Sequence, residues 1–395
     1  MTSVTDSELD QLRSFITAQL PAYLADLERL VNIDCGTYNK KGVDEVGSWF
    51  RAQMESMGAD VTVDHNADLG DTVVCGLEGE GGGDHALLIG HLDTVFDDGT
   101  AAERPFSTAN GRAYGPGVND MKAGLLTGLY AVRALQAMGP LPFARVTYLA
   151  NPDEEIGSPA STPVIREMAE HVDVCFVLES ARDNGDIVSA RKGIADFIVQ
   201  IEGRAAHAGV EPEKGRSAIL EAAHKTLALT ALNGRWPGVT VNVGTVSGGT
   251  RPNVIAERCE LEIDLRAPTR ADMETAEAEI TAIAMSNTVP EVVTTVTRRH
   301  WWWPMEKGDA TAALALSAQS LAARLGFELH DAATGGASDA NTTSGMGVPT
   351  LDGLGPVGGA DHAPGEYTEI DSIVPRTVLL AALMLTASRE GPRRT

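Results

Sequence analysis

The sequence predicts an α/β protein in which helices flank a mostly parallel central sheet, with an α+β unit inserted into the chain. Two observations predict this class. Over the first half of the 395-residue chain, short apolar runs of strand type alternate with helix-type segments, which is the order of a largely parallel sheet. Between about residues 190 and 303 the order changes, so this part is expected to fold separately.

The N-terminal elements are predicted as two helices and two strands. An amphipathic helix is expected over residues 8–34, with a break near Pro21 because proline cannot donate the helical hydrogen bond. GVDEVGSWFRAQMESMG predicts a second helix ending at Gly58, and ADVTVDH and DTVVCGLEG predict strands. The glycine run at 79–83 predicts a turn. It is not a phosphate-binding loop, since it lacks a GK[ST] ending and no helix follows it.

Four further strands each lead into a charged or imidazole side chain. HALLIG is followed by His91, RVTYLAN by PDEE, and DVCFVL by Glu179, while VPTLDGLGP runs into GGADH with His362. A helix is predicted over 121–139, between the first two of these strands. In open α/β sheets the functional crevice lies outside the carboxyl ends of the strands, so these four ends predict one shared site.

The inserted part has the β-α-β-β-α-β order of a ferredoxin-like fold. Its strands are predicted in GIADFIVQIEG, GVTVNVGTVSGG, CELEIDLRA and EVVTTVTRR, and its helices in GRSAILEAAHKTLALTAL and RADMETAEAEITAIAMS. We therefore expect one domain formed by 1–189 and 304–395 and a second, inserted domain formed by 190–303.

Composition and charge argue against several classes of function. The formal net charge is −24, which disfavours nucleic acid or an anionic membrane as a partner. The N-terminus MTSVTDSELD lacks an apolar signal segment, and no apolar run approaches membrane-spanning length on inspection. The four cysteines form no CxxC pair and are expected to be buried free thiols. We therefore expect a cytoplasmic protein.

Five side chains at strand ends or helix starts are candidate metal ligands: His91, Asp120, Glu155, Glu179 and His362. Each alone has an ordinary structural explanation; Asp120, for example, could simply cap the helix after it. Together, two imidazoles and three carboxylates fit two Zn²⁺ ions that share one carboxylate and keep a position open for water. Asp120 is the natural shared ligand, and Glu154 is left to take a proton from the water.

Five motifs in order carry a family resemblance: GHLDTV, GPGVNDMKAG, PDEEIGS, RAAHAG and DHAPGEY. They resemble a metallopeptidase family that contains glutamate carboxypeptidase (carboxypeptidase G type), aminoacylases, acetylornithine deacetylase and succinyl-diaminopimelate desuccinylase. The resemblance covers nearly the whole chain and is closest to the glutamate carboxypeptidase branch. It implies a zinc exopeptidase type of α/β domain, with the inserted domain serving as a lid and as the surface of a homodimer.

The resemblance also implies which residues bind metal. One zinc would be held by His91, Asp120 and Glu179, and the other by Asp120, Glu155 and His362. Co²⁺ or Mn²⁺ would be substitutes for zinc at these sites.

Catalytic roles follow from the same resemblance. Glu154 would be the general base and then the general acid toward the leaving amine, while Asp93 would orient the His91 imidazole. His207 would stabilise the tetrahedral oxyanion in the partner subunit's active site, whereas from the residues alone it would be a turn residue. The peptide bond between Asp120 and Met121 is expected to be cis.

The reaction implied is hydrolysis of an amide next to a free carboxylate, with release of C-terminal glutamate from a folate-like or N-acyl-glutamate substrate as the first choice. Arg266 and Asn253 match family positions that bind the carboxylate, and Arg298, with Arg299, lies near a second such position. The loop GGASDAN, which contains Gly336, resembles one that lines the substrate pocket. The alternatives on the same metal site are an N-acyl amino acid deacylase (acetylornithine or succinyl-diaminopimelate type) and a dipeptidase, with an N-carbamoyl amidohydrolase more distant.

Two interpretations outside this class fit less well. An inactive homologue acting as a binding module would lack a ligand or the base, whereas all six residues are present. A nucleotide-binding enzyme would need a glycine-rich loop after its first strand, whereas EGEGGGDH precedes a strand. The run Trp301–Trp303 is interpreted as core packing in preference to a stacking wall for an aromatic acyl group.

Overall fold

The computed structural model describes residues 4–80 and 84–391, so residues 81–83 of the predicted glycine turn lie outside the described residues. The chain forms two compact units. The second unit consists of Ala190–Glu306 and Thr334–Ala337, and the first contains the other described residues.

Helix α1 (Asp6–Val31) begins the first unit. The Thr5 side chain accepts a hydrogen bond from the Glu8 N–H, and the Glu8 carboxylate accepts one from the Thr5 N–H. These two bonds give acceptors to backbone N–H groups at the helix start, which have no partner within the helix. The predicted break near Pro21 is wrong, because the helix continues through this residue. Proline removes a backbone hydrogen bond, but buried side chains such as Tyr23 hold the following turns in the core.

The other elements before the second unit are, in chain order, α2 (Lys40–Ser56), β1 (Asp60–Asp64), β2 (Thr72–Glu78), β3 (His85–His91), α3 (Thr100–Glu103), β4 (Ser107–Ala109), β5 (Arg112–Tyr114), α4 (Ala123–Met138), β6 (Arg145–Asn151), α5 (Thr162–Glu170), β7 (Val174–Val177) and β8 (Ile187–Arg191). They include each helix and strand predicted for this part of the chain.

The second unit contains β9 (Gly193–Glu202), α6 (Ala218–Thr230), β10 (Thr240–Gly248), β11 (Arg258–Ala267), α7 (Arg270–Met285) and β12 (Val293–Trp302). Its strands pair in the order β10-β11-β9-β12, and every neighbouring pair is antiparallel. This is the predicted ferredoxin-like plan. The helices cover one face of the sheet over a separate core that includes Phe197, Leu261 and Ile280.

The elements after the second unit's main segment are α8 (Asp309–Leu325), β13 (Asp331–Thr334), α9 (Ala340–Gly345), β14 (Thr350–Leu351), β15 (Gly358–Gly359), β16 (Tyr367–Glu369) and α10 (Ile370–Glu390). The grouping into units differs from the expected boundaries at residues 304–306 and Thr334–Ala337, which belong to the second unit.

The central sheet of the first unit has six strands in the order β1-β2-β6-β3-β7-β14. Strands β6, β3, β7 and β14 are mutually parallel, while β1 and β2 extend the sheet in antiparallel fashion. Helices including α1, α4 and α10 pack in one large apolar core with this sheet. The predicted mostly parallel α/β class is therefore confirmed, and the parallel strands direct their carboxyl ends to one edge.

Helix α10 corrects one expectation from the sequence. By length and composition it could cross a membrane, although inspection found no run that approaches this length. The most apolar window of the helix is 72% buried within the protein, as in the core helix of a globular domain.

Candidate active site

Three parallel strands bring acidic and imidazole side chains to one edge of the central sheet. His91 ends β3 and lies opposite Asn151, the last residue of β6. Glu154 and Glu155 follow in a single 3₁₀ turn. Strand β7 ends beside β3, and Glu179 comes two residues after that end. The arrangement follows from the rule that parallel strands share the edge at which they end.

The other two candidate ligands, Asp120 and His362, lie in connecting segments whose structure the sequence did not predict. Asp120 lies in the turn just before α4, where its backbone is non-helical, and its peptide bond to Met121 is cis, as expected. His362 lies in the connection between β15 and β16, with a positive φ of 61°. The strand predicted in VPTLDGLGP is present as β14, which pairs in parallel with β7, but it contains only two residues. His362 follows in the connection between two strands of a separate small sheet.

Asp120 is the centre of the cluster. Its Oδ1 lies 3.0 Å from Nε2 of His91, and its Oδ2 lies 3.0 Å from Nε2 of His362. Glu179 Oε1 is 3.9 Å from the His91 nitrogen, and Glu155 Oε2 is 3.2 Å from the His362 nitrogen. The structure therefore forms two groups of three side chains that share one carboxylate, and the ligand atoms within each group lie within 4.8 Å of one another.

Opposite charges within this cluster alter the pKa of its members. Burial raises the pKa of Asp120, but hydrogen bonds from His362 and His91 outweigh it and hold this pKa well below its usual range. The bonds to Asp120 and Glu155 raise the pKa of His362 to about 10. Burial lowers the pKa of His91, but Asp120 and Asp93 raise it well above normal. These shifts follow from the short distances between the imidazoles and the carboxylates of the cluster.

The donor set suits divalent metal ions. It combines two imidazole nitrogens with three carboxylates, a common set for zinc. Among the described residues, the buried Oε1 of Glu155 has no hydrogen-bond partner. Such an atom is costly to bury unless a cation or a donor satisfies it.

Asp93 contacts the His91 imidazole through its backbone and the Glu154–Glu155 turn through its carboxylate. The Nδ1–H of His91 donates to the backbone carbonyl of Asp93 at 3.0 Å, while the Asp93 carboxylate is 3.4 Å away. With its proton on Nδ1, a neutral His91 would present the Nε2 lone pair to a metal ion at the cluster. The carboxylate instead accepts hydrogen bonds from the N–H groups of Glu154 (3.2 Å) and Glu155 (3.3 Å) and from the Thr37 hydroxyl (2.6 Å).

Glu154 has the environment of a proton acceptor. Burial, and next the negative charge of Glu179, raise its pKa well above the ordinary value for a glutamate. Cations at the cluster would favour the ionised form and move this pKa back toward neutrality. A carboxyl group tuned to that range is suited to general base catalysis.

Two buried carboxylates near the site were missed from the sequence. Glu366 accepts hydrogen bonds from the backbone N–H groups of Gly117 (2.9 Å), Asn119 (2.7 Å) and Asp120 (2.9 Å), and so fixes the turn that presents Asp120. Asp339 accepts bonds from Ser158 (2.5 Å) and Asn151 (2.8 Å), on either side of the PDEE turn. Glu366 lies in the motif DHAPGEY and Asp339 in the loop GGASDAN. In each of them, an acidic residue next to small or apolar residues could have indicated a buried carboxylate.

Predicted substrate residues of the second unit are only partly brought together. Arg266 donates from Nη1 to the carbonyl of Gly335 at 2.9 Å, next to Gly336, and from Nε to Asp264 at 3.2 Å. Among the described residues its Nη2 has no partner. Arg266 is therefore held beside the GGASDAN loop with one guanidinium nitrogen, Nη2, available.

Arg298 lies on the opposite face of the second unit's sheet. It pairs across β9 with Phe197, whereas Arg266 pairs with Ile194. Directly paired residues share a face, and Phe197 and Ile194 are an odd number of positions apart, so the two arginines face opposite ways. Arg298 instead contacts Glu277 of α7 at 3.1 Å.

His207 and Asn253 are neighbours within the second unit. The Ala208 N–H donates to the Asn253 carbonyl at 3.1 Å, and both predicted side chains are exposed. His207 accepts a hydrogen bond from the Gly209 N–H at Nδ1, at 3.2 Å. A neutral His207 therefore carries its proton on Nε2 and can donate it outward.

Two of the three tryptophans, Trp301 and Trp303, pack against the core of the second unit. Trp301 and Trp303 pack edge to face with ring centroids 4.8 Å apart and lie against that unit's core. Trp302 is 6% exposed and contacts the His300 ring. The interpretation as core packing is confirmed for Trp301 and Trp303.

Comparison with known proteins identifies the family. The model of peptidase family M20/M25/M40 matches residues 87–386. The chain belongs to this family. It is therefore a metallohydrolase of the M20 group of peptidases and related amide hydrolases, which depend on metal ions, typically zinc. Peptides and N-acyl amino acids are the substrate classes consistent with M20 membership.

Individual M20 relatives span most of the chain. Carboxypeptidase G2 from Pseudomonas sp. (strain RS-16) is 31% identical over 374 residues, covering 93% of this chain and 90% of that protein. Succinyl-diaminopimelate desuccinylase from Dechloromonas aromatica (strain RCB) is 26% identical over 305 residues, covering 73% and 79%. The crystal structure of aminopeptidase PepT from Bacillus cereus ATCC 10987 has a TM-score of 0.78 at 24% identity, covering 93% and 98%, and supports the fold.

Proposed function

We propose that this M20 chain is a two-zinc amidohydrolase that releases C-terminal glutamate from folate-like or other N-acyl-glutamate substrates. The observation that carries the metal chemistry is the position of Asp120, which offers one carboxylate oxygen to each of two imidazoles. The 31% identity to carboxypeptidase G2 over nearly the full length supports carboxypeptidase activity.

Two sets of ligands would hold the metal ions. The first set is His91, Asp120 and Glu179, and the second is Asp120, Glu155 and His362. Co²⁺ or Mn²⁺ would substitute, because imidazole and carboxylate ligands also suit these ions. When bound, the ions supply Lewis acid chemistry that activates water and polarises the substrate carbonyl.

The chain's own residues would then move the proton. Glu154 would take it from the attacking water and deliver it to the leaving nitrogen. Asp93 would keep Glu154 in place through the N–H···carboxylate bond of 3.2 Å. Glu366 would hold the Asp120 turn through its three backbone hydrogen bonds.

Binding of the substrate carboxylate is assigned to Arg266, assisted by Asn253 and the loop at Gly336. The guanidinium nitrogen Nη2, which has no partner among the described residues, is available to donate to a carboxylate. Arg298 is omitted, because it pairs with Glu277 on the other face of the sheet.

The second unit would act as a lid and as the contact surface of a homodimer. Its edge strand β10 and the adjacent helix α6 expose Val246, Leu220 and Leu227, with exposed fractions of 56%, 51% and 72%. Exposed apolar side chains along an edge strand are a common basis for association. A dimer would also allow His207 to act in the partner's active site.

A cytoplasmic location is the expected setting. The four cysteines are free and buried. Free thiols are typical of proteins in a reducing compartment.

A substrate panel tests the proposal. Zinc-loaded enzyme is incubated with folate, methotrexate, N-acetyl- and N-benzoyl-glutamate, N-acetylornithine, succinyl-diaminopimelate and short dipeptides, and the released amino acid is measured. We expect glutamate from the folates or N-acyl-glutamates, and its loss on chelation of the metal. Release only from acetylornithine, succinyl-diaminopimelate or dipeptides would instead favour the deacylase or dipeptidase alternative.

A further inference from the structure

Asn119, the residue before Asp120, has a fully buried side chain that contacts the segment carrying His362. Its Nδ2 donates a hydrogen bond to the Asp361 carboxylate at 2.7 Å, and its Oδ1 lies 3.1 Å from the Thr368 hydroxyl. Asp361 directly precedes His362 in the chain. A direct hydrogen bond therefore joins the chain neighbours of two candidate metal ligands.

The Asn119 side chain is tightly enclosed by the backbone of the small sheet. A Cβ atom added at Gly358 of β15 would lie 2.1 Å from Asn119 Oδ1 and 2.2 Å from the Tyr367 carbonyl oxygen. Both distances are far below van der Waals contact, so only glycine allows this close approach of side chain and backbone. The packing fixes the amide against β15, with Nδ2 directed at the connection between β15 and β16.

The connection that Asn119 contacts has an unfavourable backbone conformation. Ala360 and His362 have positive φ values of 58° and 61°, which residues with a side chain rarely adopt. Such a conformation persists only where the surrounding contacts hold it. Glu366 anchors the end of the connection to the turn before α4. The bond from Asn119 reaches the connection at Asp361, between the two residues with positive φ.

We propose that Asn119 is a positioning residue whose hydrogen bond to Asp361 fixes the His362 imidazole beside Asp120 and so prepares the second set of metal ligands. The inference rests on the proposed function, which assigns a metal ion to each of the two sets. Without this bond the connection could relax and carry the imidazole away from Asp120, which would weaken metal binding at the second set. The first set would be little affected, because its other two ligands follow strands of the central sheet.

Asp361 is an exposed residue, so substitutions there should leave the fold intact. Its Oδ1 accepts the bond from Asn119, while its Oδ2 lies 3.5 Å from the Ser180 hydroxyl, at the outer limit of hydrogen bonding. The bond from Asn119 is therefore the stronger of these two contacts, and variants of Asp361 test it directly.

The test compares two substitutions that remove the same charge. Asp361→Asn keeps an oxygen that can accept the bond from Asn119, whereas Asp361→Ala does not. The affinities of the two zinc ions are measured by titration against a competing chelator, without substrate. Asp361→Ala is expected to weaken the binding of one zinc about 10–100-fold, the usual effect of removing a group that orients a ligand. Asp361→Asn should remain close to the wild type.

A second comparison identifies which zinc is affected. His362→Ala removes the imidazole of the second set, so the zinc that remains belongs to the first set. Adding Asp361→Ala to this variant should leave the affinity of the remaining zinc unchanged, because the bond would act only through His362. An equal loss with and without His362 would overturn the assignment.

Substitution of the donor tests the same bond from the other side. Asn119→Ala should weaken the same zinc, and the double variant with Asp361→Ala should lose no more than the weaker of the two single variants, because both remove one bond. Asn184→Ala is the matched control. It removes an amide that donates to Asp186 at 2.7 Å in an exposed turn of the same unit, and it should change neither affinity.

The outcomes separate this inference from the proposed function. Equal zinc affinities in Asp361→Ala and Asp361→Asn, or fully additive losses in the double variant, would overturn the positioning role and leave the two-metal centre intact. A wild type that binds fewer than two zinc ions would overturn the two-metal centre and this inference with it.

Discussion

Glu154→Gln is expected to retain the metal ions and to lose nearly all turnover. The amide has almost the same shape as the carboxyl group but cannot accept the proton from the attacking water. The Glu154 backbone N–H, which donates to Asp93 at 3.2 Å, is unaffected by the substitution. Loss of a positioned general base costs about 10²–10⁴-fold in kcat. The measurement is kcat for N-benzoyl-glutamate together with zinc content per chain.

Glu167→Gln is the control, because it makes the same chemical change at an exposed position of the nearby helix α5. It should leave both kcat and zinc content at wild-type values. If Glu154→Gln instead lost zinc, Glu154 would be a ligand and the division of roles between Glu154 and Glu155 would be wrong. Wild-type kcat in Glu154→Gln would exclude it as the base.

His207→Ala is expected to lower kcat by about 10²–10³-fold without changing zinc content. This is the effect of removing one hydrogen-bond donor from an oxyanion site. The donor would be Nε2, since Nδ1 accepts the Gly209 N–H. His224→Ala, at an exposed position of α6 in the same unit, is the matched control and should change neither kcat nor zinc content.

Mixing two inactive variants tests whether His207 acts across a dimer. In a heterodimer of Glu154→Gln and His207→Ala, one active site would combine an intact Glu154 with the intact His207 of its partner. Random exchange at equal amounts is expected to restore roughly a quarter of wild-type activity, since half of the dimers regain one of two sites. No recovery despite subunit exchange would contradict action in the partner site. A monomer by light scattering at micromolar concentration would contradict the dimer itself.

The sequence was sufficient for features with a strong local signal. Strand ends followed by His91, PDEE and Glu179 predicted a shared edge, because parallel strands end together. The strands and helices of the inserted ferredoxin-like unit could be predicted because each of them has a hydrophobic periodicity typical of its type. The family motifs then supplied roles that spacing alone could not supply.

Other features depend on tertiary structure that the sequence does not display. Helix α10 is apolar on nearly all sides, so it lacks the amphipathic period by which helices are recognised. The face that Arg298 occupies depends on its pairing with Phe197 of β9, a partner about 100 positions away that a motif does not reveal. The contacts of Glu366 join residues about 250 positions apart, which a motif cannot reveal.

The most direct test of the account is the zinc content of three proteins after equilibrium dialysis. The wild type is expected to bind two zinc ions per chain. His362→Ala should retain one, because only the group with Glu155 loses an imidazole, whereas Asp120→Ala should retain neither, because both groups share its carboxylate. A single zinc in the wild type, or two in Asp120→Ala, would contradict a two-metal centre built on Asp120.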